Sequence, residues 1–220
     1  AYYRSGKIAV GYAELELHDR PNPFLNYYFR SALKTGIINS QFLRFNLQTN
    51  IYYKFSKKYK AKLRIWVGGF LDSTELPQQY YTYLSGNIDP DFRNNYLFNR
   101  TSDIDDASVG IRQYDVGGPS MHGLILDGDK IKGIKDWVIS TNIEFSIPKI
   151  PGKPFLDLAV VEGIDPYFDF GIKKSFGPLV IIIPLYQNWE DYTYVTDTDW
   201  ILDRIRFSLS ISSFNIRNIF

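Results

Sequence analysis

Residues 42–53 read FLRFNLQTNIYY, and their alternation limits the possible folds more than any other feature does. Leu43, Phe45, Leu47, Thr49, Ile51 and Tyr53 fall on one side; Arg44, Asn46, Gln48 and Asn50 fall on the other. A period of two sustained over this length is a β-strand whose faces meet different surroundings. In a water-soluble protein the apolar side meets a core and the polar side meets water. In a membrane barrel the apolar side meets lipid and the polar side a wet lumen.

The pattern recurs. Leu25, Tyr27, Phe29, Ser31 and Leu33 oppose Asn26, Tyr28, Arg30, Ala32 and Lys34. Ala61, Leu63, Ile65 and Val67 oppose Lys62, Arg64 and Trp66, and Trp137, Ile139, Thr141, Ile143 and Phe145 oppose Val138, Ser140, Asn142 and Glu144. Near the end, Ile205, Phe207, Leu209 and Ile211 oppose Arg204, Arg206, Ser208 and Ser210. Strands are expected at 7–17, 25–36, 41–54, 60–71, 136–147, 154–163, 167–174, 178–186 and 201–212, with helical periodicity hard to find anywhere. Lengths near ten residues suit tilted crossings of a bilayer.

A soluble sandwich also alternates, and it remains the reading outside the membrane class. Two features favour lipid: the apolar faces carry almost no charge, while the polar faces carry Arg, Lys and Glu at mid-strand. Tyr52, Tyr53, Tyr59, Trp137, Tyr186 and Trp200 stand near strand ends, where interfacial girdles form. The expected fold is therefore all-β, an antiparallel transmembrane β-barrel domain over 1–220.

Composition narrows the functional classes. With 25 Lys and Arg against 24 Asp and Glu, the net charge of +1 gives no electrostatic case for nucleic acid. Cysteine is absent, which excludes disulfides and thiolate metal sites. No apolar run is long enough for a membrane helix; PLVIIIPLY (178–186) is strand-sized. The opening residues show no signal peptide, so either one was removed or the chain is a piece of something longer.

Connections alternate in length. SKKYK (56–60), KIPGKP (149–154) and SFGP (175–178) are short turns, whereas 72–135 and 187–200 are long. Outer-membrane barrels alternate short periplasmic turns with long external loops. The segment 72–135 is too long for an ordinary hairpin loop and is expected to be functional, folding toward the lumen.

Four stretches resemble the carboxyl-terminal half of BamA/TamA-type surface-antigen barrels: VISTNIEFSIP (138–148), FLDLAVVEGIDPY (155–167), FDFGIKKSFGPLVIIIPL (168–185) and ILDRIRFSLSI (201–211). The third is the most specific, and the resemblance covers about 136–212. It implies a larger barrel of about sixteen strands, a bacterial outer-membrane location, and a role in outer-membrane protein assembly or translocation. It further implies that the last strand, with Ile205, Phe207, Leu209 and Ile211, acts as an insertion signal. In that family an arginine of the sixth loop reaches acidic residues on the inner wall. SVGIRQYDVGG (108–118) stands at the corresponding place, so Arg112 is matched to Glu144 and Glu162. Gln113 replaces the family's usual glycine.

Nine strands is an odd count, and an unclosed barrel exposes backbone polar groups to lipid. The chain is accordingly expected to pair with missing amino-terminal strands of the same barrel, unless 107–116 or 122–126 adds a tenth. Expected partners are outer-membrane lipid and other outer-membrane or periplasmic proteins, with no nucleic acid. Two alternatives stay open: an anchor for an upstream peptidase, phosphatase or lipase domain, and a diffusion porin. The chain itself is not expected to be an enzyme or to hold a cofactor or metal. His18 and His122 are scattered, His122 reading as a surface residue, and neither a zinc, phosphate-loop nor serine-hydrolase motif is present. The acidic residues at 103–106 with Asp127 and Asp129 lack calcium-loop spacing. Arg30, Arg44, Lys62, Arg64, Arg204 and Arg206 either select anions in an open pore or pair with carboxylates and the inserted loop.

Overall fold

A computed structural model describes residues 9–38, 41–76, 80–84, 117–123, 133–188 and 205–209. These form one antiparallel sheet of nine strands: β1 Ala9–Asn22, β2 Leu25–Ile38, β3 Leu43–Lys54, β4 Lys60–Asp72, β5 Val138–Ser146, β6 Lys153–Val161, β7 Ile164–Phe176, β8 Leu179–Gln187 and β9 Arg206–Leu209. Each strand pairs with its neighbours in sequence, so the sheet is a meander from β1 to β9. It is open, with β1 and β9 at its two edges. There is no helix element among the described residues.

Local chemistry turns the chain at one end of the sheet. The Asn22 Oδ1 accepts the amides of Phe24 and Leu25, both at 2.9 Å, and closes the β1–β2 hairpin. Ser56 Oγ does the same for the Lys58 and Tyr59 amides between β3 and β4. Gly177 reverses the chain between β7 and β8 with φ of 57°, in the left-handed region that glycine enters without steric cost. The opposite end carries the long connections that follow β4 and β8.

The pleat sorts the side chains as the alternation predicts, and burial is the reverse of a water-soluble sheet. Register aligns Tyr27, Ile51, Leu63, Ile143, Leu156, Phe170 and Tyr186 in one apolar row across β2 to β8. That face is uncovered: Leu47 is 39% exposed, Ile65 37%, Ile139 40% and Leu158 45%. From β2 to β6 it carries no Asp, Glu, Lys, Arg or His. The polar face is buried over much of its extent, with Arg44, Arg64, Asn142, Asp157, Asp169 and Arg206 all under 6% exposed, whereas Glu16 and His18 of β1 are exposed.

Two pieces of the long β4–β5 connection lie on that polar face. Leu84 and Met121 pack with Trp66, Val138, Ala159, Val161 and Tyr167 in an apolar cluster. Below it, Phe155 packs with Ile182. The strand face that reads as polar thus acquires a core from its own long loop.

Candidate functional site

The segment Gly117–Gly123 is held by the sheet at nearly every backbone position. Arg64 donates to the carbonyls of Gly118 and, at 3.1 Å, Pro119. Ser140 also donates to Pro119, and Asn142 Nδ2 donates to the Ser120 carbonyl at 3.2 Å. Arg206 Nη1 reaches the carbonyls of Met121 at 2.7 Å and His122 at 3.0 Å. The amides are met in turn: Met121 N donates to Leu84 O, His122 N to Asp157, and Gly123 N to Asp169 Oδ2 at 2.8 Å. A buried, irregular segment outside any sheet must satisfy its polar backbone groups in this way, because an orphaned group costs about 1–3 kcal/mol. Gly123 is required for it: a Cβ there meets Asp169 Oδ2 at 2.7 Å.

His122 is the hub. Its Nδ1 lies 2.9 Å from Asp157 Oδ2, and its Nε2 lies 3.0 Å from Lys173 Nζ. Nδ1 thus faces a carboxylate, and Nε2 faces both Lys173 Nζ and, at 3.6 Å, Glu144 Oε1. The ring packs on Phe155 with centroids 4.8 Å apart. Lys173 also donates to Glu144 Oε1 at 2.9 Å, and Lys62 lies 3.6 Å from the same oxygen. Tyr167 completes the network by donating to Asp169 Oδ2 at 2.6 Å. The assembly is a strut, anchored on β4, β5, β6, β7 and β9, that ties the first edge of the described loop site to the last. Among the described residues no group of His, Asp and Glu side chains is arranged to hold a metal ion.

Several sequence expectations are relocated by this geometry. His122 is not a surface residue; at 1% exposure it is among the most buried side chains, because Asp157 and Glu144 flank it. Glu144 stands on the polar face as expected. Glu162 does not: β6 ends at Val161, and Glu162 lies exposed in the tight turn before β7. The carboxylates that β6 and β7 present inward are Asp157 and Asp169. Arg112, Arg204 and Ile211 lie outside the described residues, as do Trp200 and the acidic positions 103–106, 127 and 129. Ile205, just before β9, and Phe207 within it are half-buried, and Leu209 ends β9.

Of the polar-face cations, Arg30 pairs with Glu14 and Glu16, and Lys62 with Glu144. Arg44, Arg64 and Arg206 hold loop backbone: Arg44 donates to Tyr80 O at 3.2 Å. Among the described residues all three hold carbonyls of the β4–β5 connection. The signal for Asp157 and Asp169 was present in FLDLA and YFDFG, where a carboxylate sits among apolar residues at the inward parity. Such a group needs buried donors, and the loop supplies them.

The sequence matches no protein-family model and no curated protein. The site is therefore read on its geometry alone. One expected outcome separates the two acidic positions. Glu162→Gln leaves unfolding free energy within about 0.5 kcal/mol. Glu144→Gln, which strips Lys62 and Lys173 of their common carboxylate, costs about 2 kcal/mol. Urea unfolding of the two variants against the parent chain makes the comparison.

Proposed function

We propose that this chain is the carboxyl-terminal part of a BamA/TamA-like outer-membrane β-barrel, acting in assembly or translocation of outer-membrane proteins. The observation that carries this reading is the inverted burial: an uncovered apolar face, uncharged from β2 to β6, opposite a polar face that is buried around residues 117–123. A contiguous apolar surface of this breadth is a liability in water and is at home in lipid. Aromatic residues at both ends of the apolar face support it, with Tyr53, Phe55, Tyr59 and Phe176 at the short-turn end and Trp137 and Tyr186 at the other. The family and activity rest on the resemblance over 136–212. A diffusion porin is the weaker reading, because residues 117–123 occupy the polar face that a permeating solute would follow.

The chain has no cysteine, so one introduced thiol is the sole labelling site. Leu47→Cys and Gln48→Cys place a fluorophore on opposite faces of β3. In reconstituted vesicles the Leu47 label is expected to be quenched by lipid-chain quenchers and the Gln48 label not. Equal quenching of both labels, or a full chain that stays dispersed without detergent or lipid, contradicts the proposal.

A further inference from the structure

At the short-turn end of the polar face, below the strut, lies a cavity of about 300 Å³. Arg20, Lys54, Lys60, Lys62 and Lys153 line it, with Glu144 as its one carboxylate. Its volume is at the lower end for small-ligand sites. The chain as a whole carries a net charge of only +1, so this concentration of cations is local.

Register sharpens the point. Lys54 stands directly opposite Lys60 across β3–β4, and Lys153 directly opposite Lys173 across β6–β7. Like charges facing each other across a strand pair destabilise a sheet. Glu144 offsets only part of this, since it is already shared by Lys62 and Lys173. Among the described residues no carboxylate pairs with the ammonium groups of Lys54, Lys60 or Lys153. A ligand that brings several negative charges into the cavity relieves the Lys54–Lys60 repulsion and meets Lys62 and Lys153 as well.

We propose that this cavity binds a multivalent phosphate-class anion. Lysines meet phosphate oxygens as point charges, and the Arg20 guanidinium offers a paired set of donors. Phe24, Tyr52 and Tyr53 continue the lining out to the exposed aromatic rim. The same chemistry therefore suits a free diphosphate or the headgroup of an anionic phospholipid whose chains lie along the rim. The inference uses the polar face alone; only its lipid source depends on the membrane reading.

The test uses the full chain in uncharged detergent, titrated calorimetrically with inorganic pyrophosphate and, separately, with phosphatidylglycerol doped into the micelles. Saturable binding is expected in at least one arm. Pyrophosphate binding identifies a free-anion site, and binding of phosphatidylglycerol alone identifies the headgroup as source. Lys60→Gln with Lys153→Gln is expected to weaken binding about tenfold, through lost Coulomb attraction at short range. Because each substitution removes a like-charge pair, the variant is expected to fold at least as firmly as the parent. Lys57→Gln with Lys58→Gln, an equal charge change in the neighbouring β3–β4 turn, is expected to weaken it by less than about twofold, since neither residue lines the cavity and their attraction acts through solvent. Absence of binding in both arms overturns the proposal, as does a turn variant that loses as much as the cavity variant.

Discussion

Replacing Asp157 with alanine is expected to cost about 3–5 kcal/mol of unfolding free energy, the range for removing one member of a buried charged network. Asp157 is fully buried and accepts from three donors: the His122 amide, His122 Nδ1 and Asn142 Nδ2. Each loses a buried acceptor, while Asn142 Nδ2 keeps the Ser120 carbonyl. The effect spreads along the strut, because Asn142 also holds the Ser120 carbonyl and the Arg64 guanidinium. Urea unfolding of the full chain measures the loss. Limited proteolysis within 117–123 reads the strut itself, and cleavage there is expected in the variant but not in the parent. Arg206→Ala removes the donor to the Met121 and His122 carbonyls from the other side. Since both residues hold one segment, the double variant is expected to cost less than the sum of the single ones. A loss under about 0.5 kcal/mol for Asp157→Ala, the range of an ordinary surface change, contradicts the strut.

The strands were legible in the sequence because one face of most of them is predominantly apolar, and uncharged from β2 to β6. The expected span 60–71 meets β4 at Lys60–Asp72, and 178–186 meets β8 at Leu179–Gln187. Departures have local causes. β1 runs on to Asn22, past the expected 17, because HDRPN pairs with β2 through Asp19 opposite Tyr27 although it lacks apolar alternation. β7 begins at Ile164 rather than 167 because Gly163, with φ of 71°, turns the chain within two residues of Val161. Glu162 has the parity of Leu156, Leu158 and Val160, so a longer β6 would also have set it on the apolar face; its match to Arg112 came from the resemblance, not from the alternation.

The site was legible only in outline. Residues 80–84 and 117–123 of the β4–β5 connection lie on the polar face. Which residues make the contact was not readable from period two. His122 has no periodic neighbours, and its partners Asp157 and Lys173 are separated from it by 35 and 51 residues. A loop residue's burial is decided by the wall it meets. Here the inward carboxylates of β6 and β7 were the available clue.

Arginine at Ile65 is expected to cost about 2–4 kcal/mol in vesicles, the penalty for a cation on the lipid face near the bilayer midplane. Ile65 lies mid-strand on the apolar face, between Thr49 and Thr141, and is 37% exposed. Tyr53, on the same face but next to the short turn, is 43% exposed. At that depth the same change is expected to cost about 0–1 kcal/mol. Exposure to water is similar at the two positions, so only a lipid surrounding separates them. A covered protein interface over the whole face penalises both, and bulk water penalises neither by more than about 0.5 kcal/mol. The deciding measurement is the unfolding free energy of Ile65→Arg and Tyr53→Arg in the same vesicles. A deficit for Ile65→Arg at least about 1.5 kcal/mol larger than for Tyr53→Arg is the predicted result; equal deficits contradict the assignment of the apolar face to lipid.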